Sequence, residues 1–261
     1  MRRDADWIQD ESPTRDFTIG DAAIRDTKSW RTALLAAASE PYRKAGRFAY
    51  FFARGKYRRD PIYLALLERG LLVNRAHVLD LGCGQGLLAA WLLAAERMHG
   101  HGHWPHAWPP PPRPRAVRGI ELMPRDVERA NRAFGSDVDI AVGDIRDMEF
   151  GAPDAVVILD VLHYLSAVEQ RDVLVHARRS LPANGLLLLR VSDADGGLPY
   201  RYAQWVDRIA MRLRGHAGIS PHWRSVAAWR RLLLDCGFDS EPVPMSRGTP
   251  FANVLLVAHA R

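Results

Sequence analysis

Four carboxylates stand where a strand-and-helix protein would present them to a ligand. Asp80 sits two residues before a glycine-rich turn, Gly82-Cys83-Gly84-Gln85-Gly86, within HVLDLGCGQGLLAA. Glu121 closes RGIEL, Asp144 lies in VGDIRD, and Asp160 lies in VVILDVLHYL. A glycine turn between strand and helix lets the backbone approach a nucleotide-like ligand closely. A dinucleotide turn reads G-x-G-x-x-G and offers helix N–H groups to a pyrophosphate. Here its third glycine would fall at Leu87, and the charge of Asp80 would repel phosphates. That charge suits an ammonium group, so the pattern indicates an adenosine with an amino-acid tail and no phosphate. Two histidines are candidates for proton transfer. His163 follows Asp160 by three residues, and His222 lies in SPHWRS. His163 also reads as a polar pocket-lining residue or a helix cap.

The elements that must position these groups follow from residue 73 onward. Strands are expected at 77–81, 116–121, 137–141, 154–159, 184–191, 238–243 and 252–259, and helices at 86–98, 124–134, 167–180 and 225–236. Alternation at these lengths predicts a parallel sheet covered by helices on both faces. The last two strands are joined only by the link Pro242 to Pro250, so they can pair as an antiparallel hairpin at the edge. Ligands of such sheets bind beyond the carboxyl ends of the strands, where each of the four acids falls.

Ahead of the sheet, residues 1–28 are polar and irregular, and 29–72 read as helical. Ser29 can cap a helix over 30–39, Pro41 can start one over 42–56, and Asp60-Pro61 can cap and start a third ending near Gly70. In the second helix Ala45, Phe48 and Phe52 share one face, and Lys44, Arg47, Arg54 and Arg58 form a charged row. Residues 99–115, HGHGHWPHAWPPPPRPR, form an insertion whose proline run excludes helix and sheet. A solvated, partly mobile loop is expected there. His99, His101, His103 and His106 have no acid or cysteine beside them, so no metal site is expected. Residues 193–224 carry Tyr200, Tyr202, Trp205, His222 and Trp223 and are expected to form a substrate lid together with the N-terminal helices.

Residues 80–86, an acid followed by G-x-G-x-G, resemble the first motif of the class I S-adenosylmethionine-dependent methyltransferases. The firm likeness covers about residues 73–195. It implies an α/β fold with a doubly wound, mostly parallel seven-stranded, Rossmann-like sheet. Residues 29–72 would be a helical extension and 73–261 the cofactor-binding domain. The implied cofactor is S-adenosyl-L-methionine, held by Asp80, Gly82, Cys83, Gly84, Gly86, Glu121, Leu122, Asp144, Ile145 and Asp160. Glu121 would accept both ribose hydroxyls, Asp144 would lie beside the adenine amino group, and Ile145 would pack on the adenine face. His163 would be the base for an oxygen acceptor, with His222 second. Tyr164, Tyr200 and Trp223 would line the substrate, and the faces of Tyr164 and Trp223 could stabilise a sulfonium.

Composition narrows the partners. The net charge of +6 comes from 36 basic and 30 acidic residues, and only Lys28, Lys44 and Lys56 are lysine. Two cysteines, Cys83 and Cys236, form no disulfide framework, and a reducing, cytoplasmic setting is expected. Enzymes that methylate exocyclic base amines carry Asn/Asp-Pro-Pro-Tyr/Phe after the fourth strand. This chain has Asp160-Val161-Leu162-His163 there, and no RNA-binding module is visible, so nucleic acid is not expected as substrate. The basic helix 42–59 could dock an acidic carrier protein, lie on an anionic membrane surface, or be a solvated face. The reading is a methyltransferase acting on a small organic acceptor, loosely similar to bacterial enzymes of pigment or polyketide-type pathways. The alternatives are a non-catalytic cofactor-binding partner subunit and a peripheral membrane methyltransferase with a lipid-like substrate.

Overall fold

The computed structural model describes residues 27–195 and 221–261. Seven strands form one sheet: β1 His77–Leu81, β2 Ala116–Glu121, β3 Asp139–Val142, β4 Ala155–Leu159, β5 Leu186–Ser192, β6 Phe238–Pro244 and β7 Asn253–Ala260. Their order is β3-β2-β1-β4-β5-β7-β6. The first five pair in parallel, and β7 pairs antiparallel with both β5 and β6. The strand order reverses beside β1, so β1 and β4 flank the switch point at which such sheets bind ligands.

Each central strand is apolar on both faces because helices cover both. Along β1 and β4, Val78, Ala155 and Val157 face one layer, while Leu79, Leu81, Val156 and Ile158 face the other. The second layer holds α6 Ala167–Ser180 and α7 Val226–Asp235. α6 opens on a capping box, in which Ser166 and Glu169 satisfy each other's backbone N–H groups. The first layer holds α4 Leu87–Gly100 and α5 Pro124–Phe134, together with three helices from the start of the described chain: α1 Thr27–Ser39, α2 Arg47–Arg59 and α3 Pro61–Glu68.

Those first three helices share the main core. Trp30, Leu34, Tyr42, Tyr57, Ile62 and Leu66 are buried in one cluster with Leu88, Trp91 and Val157. Tyr57 stacks on Trp91 at 5.0 Å. Trp91 Nε1 donates to the Tyr63 carbonyl at 2.7 Å. The expected third-helix cap is present: Asp60 accepts from the Ile62 N–H at 3.2 Å ahead of Pro61.

Two local expectations need correction. The helix expected over 42–56 is broken: Glu40–Arg43 form a short 3-10 turn, and α2 restarts at Arg47 after Gly46 at φ +102°. This conformation is open to glycine and not to a helical residue. As a result the buried stripe of α2 is Ala49, Ala53 and Tyr57, and Phe48 is exposed. The insertion 99–115 is also docked rather than free. Trp30 Nε1 donates to the His103 carbonyl at 2.7 Å, and the Trp30 ring meets Trp104 and Trp108 edge-on at 5.4 and 4.8 Å. Pro111 and Pro112 are buried. Among the described residues no group of three histidine, cysteine or acidic side chains is placed to hold a metal.

Candidate active site

A cleft of about 550 Å³ opens beyond the carboxyl ends of β1, β2, β4 and β5. The glycine turn forms its floor. Gly82 and Cys83 donate to the Ile120 carbonyl at 2.8 and 3.2 Å, which folds the turn back over β2. Gly82 has φ +74°, and a Cβ there would lie 2.3 Å from Val161. Gly84, at φ +58°, has nothing within 4 Å of a would-be Cβ. The backbone is therefore bare on its ligand side. Two N-terminal tyrosines hold the turn from behind: Tyr42 donates to the Gln85 carbonyl at 3.0 Å and Tyr57 to the Leu87 carbonyl at 2.8 Å.

The acids at the rim differ in what already holds them. Glu121 accepts from the Gly84 N–H at 2.9 Å and from the Met123 N–H at 2.8 Å, one bond per oxygen. Both oxygens are oriented, and each keeps a lone pair for a ligand hydroxyl. Asp80 is 5% exposed and accepts no hydrogen bond among the described residues. Burial, and then the nearby charge of Glu121, push its pKa up to about 7. A buried carboxylate without a partner is costly unless a cation meets it. Gln85, the side chain between Gly84 and Gly86, is 3% exposed, and its Oε1 has no partner among the described residues. Asp144 is held by the Arg146 guanidinium, whose Nε lies 2.9 Å from Oδ1, and this pairing lowers its pKa. Ile145 is buried beside it.

The cleft's far wall carries a buried charge cluster. Arg190, on β5, is 3% exposed. Its guanidinium binds Asp160 through Nε at 2.9 Å and again through its terminal nitrogen, and it binds Asp60 at 2.9 Å. Lys56 stands 3.5 Å from Asp60. Asp160 itself has φ +59°, a left-handed conformation that aspartate tolerates better than most residues.

Of the residues singled out from sequence, Asp80, Gly82, Cys83, Gly84, Glu121, Leu122, Asp144, Ile145, Asp160 and Tyr164 line this cleft. Gly86 instead stands at the N-cap of α4. His163 is buried behind Tyr164: its ring lies 4.0 Å from Tyr164 and stacks on Trp223 at 4.3 Å. Neither His163 nor Trp223 is among the cleft-lining side chains. Burial lowers the His163 pKa to about 4, so its ring is neutral at pH 7. His222 is exposed, and its N–H donates to the His163 carbonyl at 2.8 Å. Tyr200 lies outside the described residues, as does most of the expected lid.

A protein-family model described as a methyltransferase domain matches residues 49–242. The chain belongs to this methyltransferase-domain family. The likeness of residues 80–86 to class I S-adenosylmethionine-dependent methyltransferases therefore stands. Among curated proteins the methyltransferase domain is similar to carboxy-S-adenosyl-L-methionine synthase of Chromohalobacter salexigens, 27% identical over 200 residues, covering 70% of this chain and 66% of that protein. Among solved structures it resembles an O-methyltransferase family protein from Burkholderia thailandensis (TM-score 0.57, 21% identity, 86% of this chain and 63% of that one). It also resembles magnesium protoporphyrin IX methyltransferase from Synechocystis PCC 6803 with bound SAH (TM-score 0.53, 19% identity, 90% of this chain and 100% of that one). These two likenesses show the fold. The chain spans just under two thirds of the length of the synthase and of the Burkholderia protein.

Sequence reasoning missed several residues of this cleft. Arg190, Asp60, Gln85, Arg146, Phe52 and Lys56 all line the cleft or bind its wall. Arg190 had a legible signal, because a lone arginine in the apolar run LLLLRVS must find a partner once both faces are covered. Asp60 was read only as a helix cap, and it serves as both cap and ion-pair partner.

Proposed function

We propose that this chain transfers a methyl group from S-adenosyl-L-methionine to a small organic acceptor in the cytoplasm, in a bacterial secondary-metabolite or pigment pathway, the acceptor being aromatic or carrier-linked. The observation that carries this reading is the pairing of an oriented Glu121 with a buried, unpartnered Asp80 across the bare backbone of Gly84. Those groups fit the implied cofactor: Asp80 meets its ammonium and Glu121 its ribose hydroxyls. Asp144 and Ile145 would take the adenine edge and face.

When bound, S-adenosylmethionine supplies an activated methyl on a sulfonium. The chain's residues then have to align the acceptor and keep water out. Tyr164, Val161, Leu165 and Phe52 give the acceptor side of the cleft an apolar lining. His163 is the proposed base for an oxygen acceptor; its ring is neutral but lies behind Tyr164, so this role requires the Tyr164 ring to swing aside. The synthase relative is named for making a form of S-adenosylmethionine that bears an extra carboxylate. Among the described residues the cations lining this cleft are Lys56, Arg146 and Arg190, and each is paired with a carboxylate. This charge balance favours the plain methyl donor.

Replacing Glu121 by alanine removes the ribose acceptor and leaves the Gly84 N–H unpaired. Affinity for S-adenosylmethionine should fall by about 1–3 kcal/mol. Isothermal calorimetry would measure this, and an unchanged affinity would remove Glu121 from the site. A chain that binds the cofactor but methylates nothing across a panel of phenols, carboxylic acids and amines would instead be the non-catalytic partner subunit.

A further inference from the structure

The outer face of α2 lies outside the cofactor cleft. Phe48 is 62% exposed and Phe51 60% exposed. At 100° per residue, Phe51, Gly55 and Phe48 lie side by side along this face. Arg47 and Arg58 border it on one side and Arg59 on the other, and all three are exposed. A Cβ at Gly55 would meet nothing within 4 Å, so the strip between the phenylalanines is flat and open. At the cleft-ward edge the strip continues into Phe52, which stacks on Phe48 at 5.8 Å, and into Lys56. Both Phe52 and Lys56 line the cleft.

We propose that the outer face of α2 seats the protein on an anionic phospholipid surface, with Phe48 and Phe51 entering the headgroup boundary and the flanking arginines meeting lipid phosphates. The composition of the segment selects this occupant. From Arg43 to Arg59 there is no Asp, Glu, Ser, Thr, Asn or Gln. The face offers apolar rings and cations, which is what a phospholipid boundary answers. It carries no carboxylate to repel lipid phosphates. A lipid surface also explains why two phenylalanines stay exposed beside the mouth of a cleft. The acceptor would then be an apolar molecule that enters past Phe52 from the membrane. This last step rests on the proposed methyl transfer, whereas the seating on lipid does not.

The test is sedimentation of the full chain with sucrose-loaded vesicles of phosphatidylcholine alone, or of phosphatidylcholine with 30% phosphatidylglycerol as an order-of-magnitude anionic load. The chain should partition onto the anionic vesicles and be released at high salt. Removing two surface arginines in Arg47→Gln/Arg58→Gln should lower partitioning roughly thirtyfold. Phe48→Ser/Phe51→Ser should lower it by at least about tenfold at unchanged charge. The arginine variant should keep the cofactor affinity of the parent, because neither side chain lines the cleft. Phe48→Ser also removes the ring's contacts with Phe52 and Arg129, so Phe51→Ser alone is the control that leaves those in place and should still weaken partitioning. Absence of partitioning overturns the proposal. So does equal partitioning of the phenylalanine variant, which would show a general cation surface. Tighter binding to an acidic carrier protein or a single-stranded oligonucleotide than to the vesicles overturns it as well. Loss of cofactor affinity in the unsubstituted chain would count against methyl transfer and leave the lipid result standing.

Discussion

Asp80 is the residue whose chemistry is most sharply set by its surroundings. Its carboxyl is buried at the tip of β1 beside Glu121, with its pKa raised to about 7. Between the ordinary carboxylate range and that value the folded chain binds one more proton than the unfolded chain. Stability of the unliganded protein therefore falls as pH rises from about 4 to about 7 and levels off above. A ligand ammonium reverses this by favouring the charged form. Binding of S-adenosylhomocysteine at pH 6 should accordingly release close to one proton, read from calorimetry in buffers of different ionisation enthalpy. Asp80→Asn should bind more weakly and release none, and a parent protein that released no proton would separate Asp80 from the ligand's amino group. The imidazole of His163 behaves oppositely. Its pKa is lowered to about 4, so its ring is uncharged throughout the neutral range. With an oxygen acceptor, His163→Ala should cost about 10²–10⁴-fold in kcat, and the parent's kcat should show no acidic limb assignable to this ring above about pH 5. With a carbon or nitrogen acceptor the same change should only slow the reaction. The order Asp80, Glu121, Asp144 was readable from spacing because each acid directly ends or follows a strand. The burial of His163 under Trp223 was not, since 60 positions separate the two and only the folded chain brings their rings together.

At the level of elements, the junction of α2 and α3 is tied to the sheet by charge. Asp60 caps α3 and also grips Arg190 of β5, which in turn holds Asp160 at the end of β4. Removing the cation leaves two carboxylates facing each other with little water. Arg190→Met should therefore destabilise the fold by about 3–5 kcal/mol, measured as a loss in urea unfolding free energy with an unchanged m-value. Adding Asp60→Asn should recover part of that loss, and full additivity of the two changes would show that the pair is not coupled. The strands and the later helices were legible because their apolar period is unambiguous and their caps are local. The course of 42–59 was not, because a single glycine at φ +102° rotates everything after it. That rotation buries Ala49, Ala53 and Tyr57, leaves Ala45 and Phe52 half-packed at the core's edge, and turns Phe48 outward. The docking of 99–115 was hidden for a similar reason. Its anchor is Trp30, 73 positions from the His103 carbonyl it binds, and no local pattern carries that contact.

For the whole molecule, the decisive fact is that α1, α2 and α3 are not an appendage. They contribute Trp30, Tyr57 and Leu66, and the turn between α1 and α2 contributes Tyr42, to the same cluster that contains Val157 of the sheet. Deleting residues 27–68 should therefore yield a chain without a cooperative unfolding transition, exposing Trp91 and the back of the glycine turn. A shortened chain that unfolded sharply and still bound cofactor would show that the sheet stands alone. The sequence implied the helices but not their place, because a helix with apolar positions reads the same whether it caps a neighbouring domain or completes a shared core. The bridge from Asp60 to Arg190 also has a consequence in time. At roughly 5–20 residues per second of translation, the 130 positions between them take on the order of ten seconds to synthesise. Throughout that interval the nascent helices lack their ionic anchor and most of the surface they are built against. The apolar faces of the newborn helices thus stay uncovered long before the chain has a pocket to fill.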